Sequence, residues 1–560
     1  MEQSQSEDRL WPIFAVVTVV VILAAAIRWS LGHPYGIHWD EALYINEAWV
    51  DAQRLHYGMI LKLGGRILVK SLGRPPAYRL LADPFLALFG LHTTMARLVS
   101  LACFVLSSWF IYLAGRCVSS KLAGVFAVLL FCLSPEVVSA SIFFGTDAPL
   151  YLATSAMLYY LFASWSVQPD SSGNWIGLGL AVGLGLLSKT SFVLIAFPAL
   201  LFSFLMGRRK NLGGPRLSSQ LKAGLLALCI AAPWWLLNVR AAMAYSQYAR
   251  NFVRNSLGPP SLGTWLRWFN TVFQCLLGPG SGILILVVLI GSLVGILTAK
   301  KSNLEPIKKV ALGICACAGV PIILTQLSGT NHLLRHISPA MIPVAISISI
   351  LADQTGWIRS RAGIVTSSIL FGIQLFMIVY PVIFPNTHPV DNGAVNGSVP
   401  WRVMARFDQW DWKRVQEVSD GCGLAAPKIA YLGGGHVFNP PAIQFPWVAT
   451  ATATRNVTFD LPEVTWLWRY EDGNMDWQKM MDSAGQNDVV LTAPHYDGGL
   501  QNKGDLDNQH NAELADRLSR DPRFRGPIRI EMGSFEPIEF DIFVKKTVVC
   551  RAGQGVSVNQ

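Results

Sequence analysis

Charge is scarce in this chain. Only 14% of its 560 residues are Asp, Glu, Lys or Arg, against about 25% in an ordinary soluble domain. The shortage excludes a disordered protein, which needs charge and polarity to stay unfolded, and it excludes an ordinary cytosolic enzyme. Acid is scarcest at the front: residues 1–385 hold 13 Asp/Glu against 28 Lys/Arg, whereas residues 386–560 hold 22 against 17. A net charge of +10 on a soluble face would suit a nucleic-acid binder. Spread through an apolar block it does not, so nucleic acid drops out as a partner. Cysteine is sparse in the polar part, where only Cys422 and Cys550 occur; that permits one disulfide if this part is exported. The other seven lie in or beside apolar runs, where cysteine is mostly a small hydrophobe. Gly433-Gly434-Gly435 lacks the Lys and Ser/Thr of a phosphate loop.

What is abundant is apolar sequence: hydrophobic residues reach 52% and mean hydropathy is +0.38. Runs near 20 residues read as membrane helices. The first is Trp11–Ile27, an anchor with no small-residue cleavage site behind it. Others lie at about 96–115, 121–144, 148–165, 175–188, 190–206, 221–240, 281–298, 309–327, 337–352 and 363–384. Basic short loops mark the cytoplasmic side, and three stand out: Arg208-Arg209-Lys210 with Arg216 and Lys222, Lys300-Lys301 with Lys308-Lys309, and Arg359 with Arg361. If the short stretch Pro75–Leu91 also crossed, Arg116 and Lys121 would move outside. It is therefore read as re-entrant or lying at the outer face. The fold expected is a polytopic α-helical membrane protein of about eleven crossings, with the N-terminus inside. Residues 1–385 form the membrane domain, with a first outer loop over about 28–75. Residues 386–560 form an extracytoplasmic α/β domain, with β-like runs at Lys428–Leu432, Asp488–Thr492, Ile528–Glu531 and Ile538–Val544 and a helix near 511–520.

Three places in the membrane domain carry unexplained charge. Asp40, Glu41, Glu47 and Asp51 crowd four of the 13 acids into 12 positions. Adjacent carboxylates repel, so one needs a cation or a raised pKa; a carboxylate at the membrane surface can also act as a general base. The bland reading is a solvated loop capping a helix. Asp147, in Thr146-Asp147-Ala148-Pro149-Leu150, caps a helix by the simplest account but lies on the same expected face as Asp40. The third place is cationic: Arg74, Arg97, Lys189, His332, Arg335 and His336 all face outward on this topology, against the cytoplasmic bias. Each alone could snorkel to the interface, whereas together they suit a phosphate at the lipid boundary. Pro233-Trp234-Trp235 with Asn238 reads as an aromatic belt. His33 and His38 flank the acidic loop without a two-His-plus-acid spacing, so no metal ligand is assigned. Asn456-Val457-Thr458 fits a glycosylation acceptor by pattern alone.

The motifs Asp40-Glu41-x-x-Tyr44, Arg74-Pro75-Pro76, Arg97-Leu98, Thr146-Asp147-Ala148-Pro149-Leu150, Gly183-x-Gly185-Leu186-Leu187-Ser188-Lys189 and Arg335 leading into Pro339 resemble, in order and spacing, those of the type C glycosyltransferases. More closely, they resemble the family of protein O-mannosyltransferases and lipid A aminoarabinose transferases. That resemblance implies inverting transfer of a sugar from a polyprenyl-phosphate donor to an envelope lipid, glycan or protein, at the bacterial cytoplasmic (inner) membrane. It implies Asp40 as general base with Glu41 assisting, Asp147 positioning base or acceptor, Tyr44 beside the substrate, and Arg74, Arg97, Lys189 and Arg335 around the donor phosphate. His332 and His336 join the binding set. No cofactor follows from it, and a divalent cation stays open. Arg74 stands where the aminoarabinose transferases favour Lys, which leaves sugar and acceptor undefined. The alternatives are a transporter or flippase of a lipid-linked glycan, and a non-catalytic scaffold; midplane charges and inverted repeats, which transporters favour, are not seen here.

Overall fold

The computed structural model describes residues 2–33, 39–69, 73–165, 172–209, 214–257, 262–298, 304–328, 334–383, 410–433, 438–453, 461–467, 470–471, 474–496, 509–533 and 538–550. His38, His332, Gly434-Gly435 and the Asn456 motif lie outside the described residues.

The first half is helical. α1 (Glu2–Leu31) leads into α2 (Trp39–His56), α3 (Ile60–Val69), α4 (Ala77–Phe89) and α5 (Thr93–Val118). α6 (Lys121–Cys132), α7 (Pro135–Ile142), α8 (Asp147–Trp165), α9 (Ser172–Leu186) and α10 (Phe192–Gly207) follow. Then come α11 (Leu217–Leu257), α12 (Leu262–Thr271), a π-helical turn (Val272–Leu277) and α13 (Pro279–Thr298). α14 (Pro306–Ser328), α15 (Leu334–Ile337), α16 (Met341–Gln354) and α17 (Arg361–Ile383) close this half. Among the described residues six helices are long and apolar enough to cross a bilayer, or up to eight if each of two bent pairs is one span. The expected crossings at 148–165, 175–188 and 190–206 fall on α8, α9 and α10, which are not among them. α9 and α10 have 15 and 16 residues, somewhat fewer than the about 20 a straight span needs.

Both bends have local causes. α6 and α7 meet at 70°, where the Ser134 hydroxyl caps Val137 N–H and Pro135 opens the new helix, as a residue without an N–H can. The second bend, 100° before α13, falls on Gly278 at φ 74°. A Cβ there would sit 2.0 Å from the Gln374 amide, so only glycine fits. Gln374 Oε1 in turn accepts from Gly280 N–H at 3.0 Å, closing the new helix start. α4 is 13 residues long, about 20 Å at 1.5 Å per residue, short of the ~30 Å hydrocarbon core.

The C-terminal part is a three-layer α/β unit. β1 (Lys428–Tyr431), β2 (Glu463–Trp466), β5 (Val489–Thr492), β6 (Phe524–Met532) and β7 (Ile538–Lys545) form one sheet in the order β2-β1-β5-β7-β6, and β3 (Tyr470–Glu471) pairs with β4 (Asn474–Met475) apart from it. β2, β1 and β5 run parallel; β7 and β6 are antiparallel to their neighbours. Alternate residues of each strand face opposite ways. Ile429, Tyr431, Val489, Leu491, Phe540 and Ile542 pack with α18 (Lys413–Gly421) and α19 (Pro440–Ala453). Ala430, Val490 and Phe543 pack with α20 (Trp477–Ala484) and α21 (Asn511–Arg520) on the other face. The strand runs and the helix near 511–520 fall where sequence pattern puts them. Cys422 and Cys550 form a disulfide, clasping the end of α18 to the segment after β7.

The two halves meet through α2, which is buried almost all round. α4 packs on one side through Tyr78, Ala82 and Leu86; α19 packs on the other through Phe445 and Val448. Trp49 and Phe445 lie 4.9 Å apart. Asn46 Nδ2 donates to Pro441 O at 2.9 Å and Gln53 Nε2 to Ala451 O at 3.3 Å. The helix that carries the acid cluster is thus held between the helical half and the sheet domain.

Candidate active site

Each of the four clustered acids has its own partner. Asp51, at the far end of α2, pairs with Arg66 at 2.8 Å and with Arg79. Glu47 accepts from the Tyr78 hydroxyl. Glu41 receives a bidentate guanidinium: Arg97 Nε donates to Oε1 at 2.9 Å and Nη2 to Oε2 at 2.8 Å. Both side chains are fully buried. Phe144 N–H adds a third bond to Glu41 at 3.0 Å, and Arg97 also donates to His33 O and stacks 4.8 Å from the Trp29 ring. One ion pair thereby ties α1, α2, α5 and the loop after α7. Neither Glu41 nor Arg97 presents a surface to a substrate, because every direction around the pair is filled.

Asp40 is one residue earlier and differently placed. Its Oδ2 meets Arg335 Nη1 at 2.7 Å, and the side chains keep 15% and 24% of their exposure. Arg335 comes from α15. Tyr44 lies one turn along α2 from Asp40, its ring 3.1 Å from where a Cβ on Gly145 would be. That contact leaves little room for a side chain at position 145 and docks the loop before Asp147 onto α2. Burial, and next the Asp40 carboxylate, push the Tyr44 phenol well above its usual range, so it remains a neutral hydroxyl. Arg74 stacks over Tyr44 at 5.7 Å and over Tyr245 at 4.9 Å, and donates to the Tyr245 hydroxyl at 3.4 Å. Its Nε and Nη1 are buried with no partner among the described residues, as is Arg335 Nε.

Asp147 opens α8 and accepts from Lys189 Nζ at 2.6 Å. Lys189 sits in the break between α9 and α10. That break is braced from two sides: Ala77 N–H donates to Leu187 O at 2.8 Å, and Trp235 Nε1 donates to Leu186 O at 3.0 Å. Here the aromatic-belt reading fails. Trp234 is buried against Ala77, Leu187, Ala231 and Ala242, and Asn238 donates to Leu68 O. Trp234 and Asn238 thus pack helices against one another, while Trp235 stays half-buried.

Asp147 lies within electrostatic reach of Arg335, and His336 within reach of Lys189, Arg335 and Asp40. The structure therefore gathers Asp40, Tyr44, Arg74, Asp147, Lys189, Arg335 and His336 around one site, with Glu41 and Arg97 behind it. Among the described residues no three His, Cys, Asp or Glu side chains are placed to hold a metal ion. Sequence reasoning missed Tyr245 and Glu136. Tyr245 lies where α11 outruns its apolar stretch, with no local pattern to mark it. Glu136 sits at the start of α7, 4% exposed, and a lone acid inside an apolar run was the available signal.

Residues 73–237, less than a third of the chain, match the model of the family described as dolichyl-phosphate-mannose-protein mannosyltransferase. That span holds Arg74, Arg97, Asp147 and Lys189 but not Asp40 or Arg335. No curated protein matches the chain. Among solved structures it is similar to ArnT from Cupriavidus metallidurans bound to undecaprenyl phosphate, at 14% identity and a TM-score of 0.52, covering 94% of this chain and 98% of that one. It is also similar to the Archaeoglobus fulgidus oligosaccharyltransferase in complex with zinc and sulfate, at 12% identity and a TM-score of 0.51, covering 93% of this chain and 72% of that one. At such identities the likeness is one of fold, and it extends over both halves of the chain. The resemblance to type C glycosyltransferases read from the motifs stands on these matches.

Proposed function

We propose that the chain is an integral-membrane glycosyltransferase. It moves a sugar from a polyprenyl-phosphate donor to a lipid, glycan or protein acceptor of the cell envelope, at the outer face of a bacterial cytoplasmic membrane. In this reading α8, α9 and α10 cross with the six long helices and two bent pairs, giving eleven crossings and an extracytoplasmic C-terminal domain. The observation that carries the proposal is the set of buried guanidinium nitrogens without partners among the described residues, two on Arg74 and one on Arg335, beside the Asp40 carboxylate. Leaving such donors unpaired is costly, and an anion with several acceptor oxygens would satisfy them.

The chemistry follows as a single displacement. The acceptor hydroxyl oxygen attacks the anomeric carbon from the face opposite the phosphate, and its proton passes to Asp40. The bond from the anomeric carbon to the phosphate oxygen breaks, and its electron pair leaves with the polyprenyl phosphate. Arg74, Lys189 and Arg335 hold that charge as it develops, and one displacement inverts the anomeric centre. Tyr44, His336 and, outside the described residues, His332 border the bound donor. Asp147 orients Lys189. Glu41 and Arg97 act as positioning residues that fix the start of α2. Without donor, Arg335 holds Asp40 and Lys189 holds Asp147. A donor phosphate competes for both cations, so the base is released when the donor arrives.

The test uses purified protein in nanodiscs with polyprenyl-phosphate sugars and envelope lipid acceptors. Asp40→Asn is expected to lower transfer by about 10²–10⁴ while donor still binds. Retained transfer would sink the role of Asp40, and lipid movement across sealed vesicles without transfer would support the transporter reading.

A further inference from the structure

Glu136 is used by nothing described so far. It lines a cavity of about 510 Å³ together with Asn270, Phe273, Gln274, Gln374 and Met377, a size typical of small-ligand sites. Its side chain is 96% buried by exposure of 4%, and its Oε2 has no partner among the described residues. The opposite wall is the π-helical turn, a form frequent at functional sites. There the Gln274 amide is exposed and donates to Asn270 Oδ1 at 3.1 Å.

The elements that line the cavity also touch those that carry the catalytic cluster. α7, which carries Glu136, runs through Phe143–Thr146 into Asp147. α15, which carries Arg335, packs on both α7 and the π-helical turn. Glu136 lies within electrostatic reach of Asp147, Arg335 and Lys189. Among the described residues no Lys or Arg lines the cavity, so these residues offer no cation to a phosphate. A hydrocarbon chain would leave a buried carboxylate oxygen unsatisfied, which is costly. A polyhydroxylated ring fits both demands. Its hydroxyls donate to the carboxylate and exchange bonds with the three amides, while its C–H face packs on Phe273 and Met377.

We propose that this cavity is the subsite for the sugar ring of the donor, with Glu136 as the residue that reads its hydroxyl groups. This rests on the polyprenyl-phosphate reading above. The phosphate is then held by Arg74, Lys189 and Arg335, and the sugar by the cavity lined by Glu136.

The experiment measures the affinity of the full chain in nanodiscs for bare undecaprenyl phosphate and for the same lipid carrying glucose, mannose or arabinose. Wild type is expected to prefer at least one sugar-loaded lipid over the bare lipid by about tenfold, the worth of roughly one or two net hydrogen bonds. Glu136→Gln should erase most of that preference and leave bare-lipid affinity unchanged. Gln274→Ala, on the exposed wall, should lower it by about threefold, the worth of about one weak hydrogen bond, and it decides the matter if Glu136→Gln does not fold. Asp40→Asn should keep the preference. The subsite is overturned if wild type shows no preference for any of the three sugars, or if the preference survives in every folded cavity variant. Failure of wild type to bind either form of lipid overturns the polyprenyl-phosphate reading itself, and the subsite with it.

Discussion

Asp40 and Glu41 are neighbours on one helix, both carboxylates, both paired to arginine, and they do opposite things. Glu41 is sealed: two bonds from Arg97, one from Phe144 N–H, no exposure. Asp40 makes an ion pair with Arg335, whose Nε has no partner among the described residues, and both keep a share of solvent. A saturated buried pair holds parts together; a pair with spare donors can change partners. The difference shows where a site lies better than charge or burial alone, since both pairs have both.

The largest effect should come from the open pair, and it should be on rate. Asp40→Asn removes a proton acceptor but keeps an oxygen for Arg335. Turnover should fall by about 10²–10⁴, the range for loss of a general base, with the melting temperature nearly unchanged. The closed pair should answer the other way. Arg97→Met leaves Glu41 buried without its cation, and breaking one side of a buried pair costs about 3–5 kcal/mol. The measurable outcome is a large drop in melting temperature or loss of monodisperse protein. If instead Arg97→Met stayed stable and lost only donor affinity, the two pairs would not differ as described, and Arg97 would return to the phosphate-binding set.

Arg74 tests the same contrast from the cationic side. Two of its guanidinium nitrogens are buried without partners among the described residues, so Arg74→Ala removes unmet donors and should cost little stability. Donor KM should rise by about tenfold for the loss of a charge-assisted hydrogen bond of about 1.5 kcal/mol. Arg74→Lys should recover part of it, as a point charge without the planar fork. Equal changes in KM for donor and acceptor would argue against a phosphate contact.

The sequence made Asp40, Asp147, Arg74, Lys189 and Arg335 visible because each is a charge in an apolar block, and charge there needs a reason. It also made the C-terminal strands visible, through short β-branched runs between polar turns. It could not separate Arg97 from Arg74, since both are arginines near helix starts. Only the packed structure shows that Arg97 is met by Glu41 from across four segments while Arg74 meets two tyrosine rings. Trp234 misled for the same reason: an aromatic at a helix end suits an interface belt, and what buries it comes from α4 and the α9–α10 break. The number of crossings was hardest to read, because α9 and α10 are short for a bilayer and hydropathy alone does not separate a short crossing from a buried helix.

The smallest effect concerns what holds the open pair in place. α2 carries Asp40 at one end and is anchored on the C-terminal domain by Asn46 and Gln53, which donate to α19 carbonyls. Asn46→Ala leaves the Pro441 carbonyl without its donor and should cost about 1–2 kcal/mol, seen as a modest fall in melting temperature. If the anchor only stabilises, turnover at a temperature below the transition should match wild type. If the domain also sets the position of α2, kcat should drop by a few-fold while donor affinity, assigned above by proposal to Arg74, Lys189 and Arg335, stays the same. The buried Trp49–Phe445 contact, 4.9 Å between rings, and the Gln53 bond stay in place in this variant, so any change in kcat reads the Asn46 anchor alone. A split between unchanged donor affinity and reduced kcat would then place the C-terminal domain in the positioning of the base.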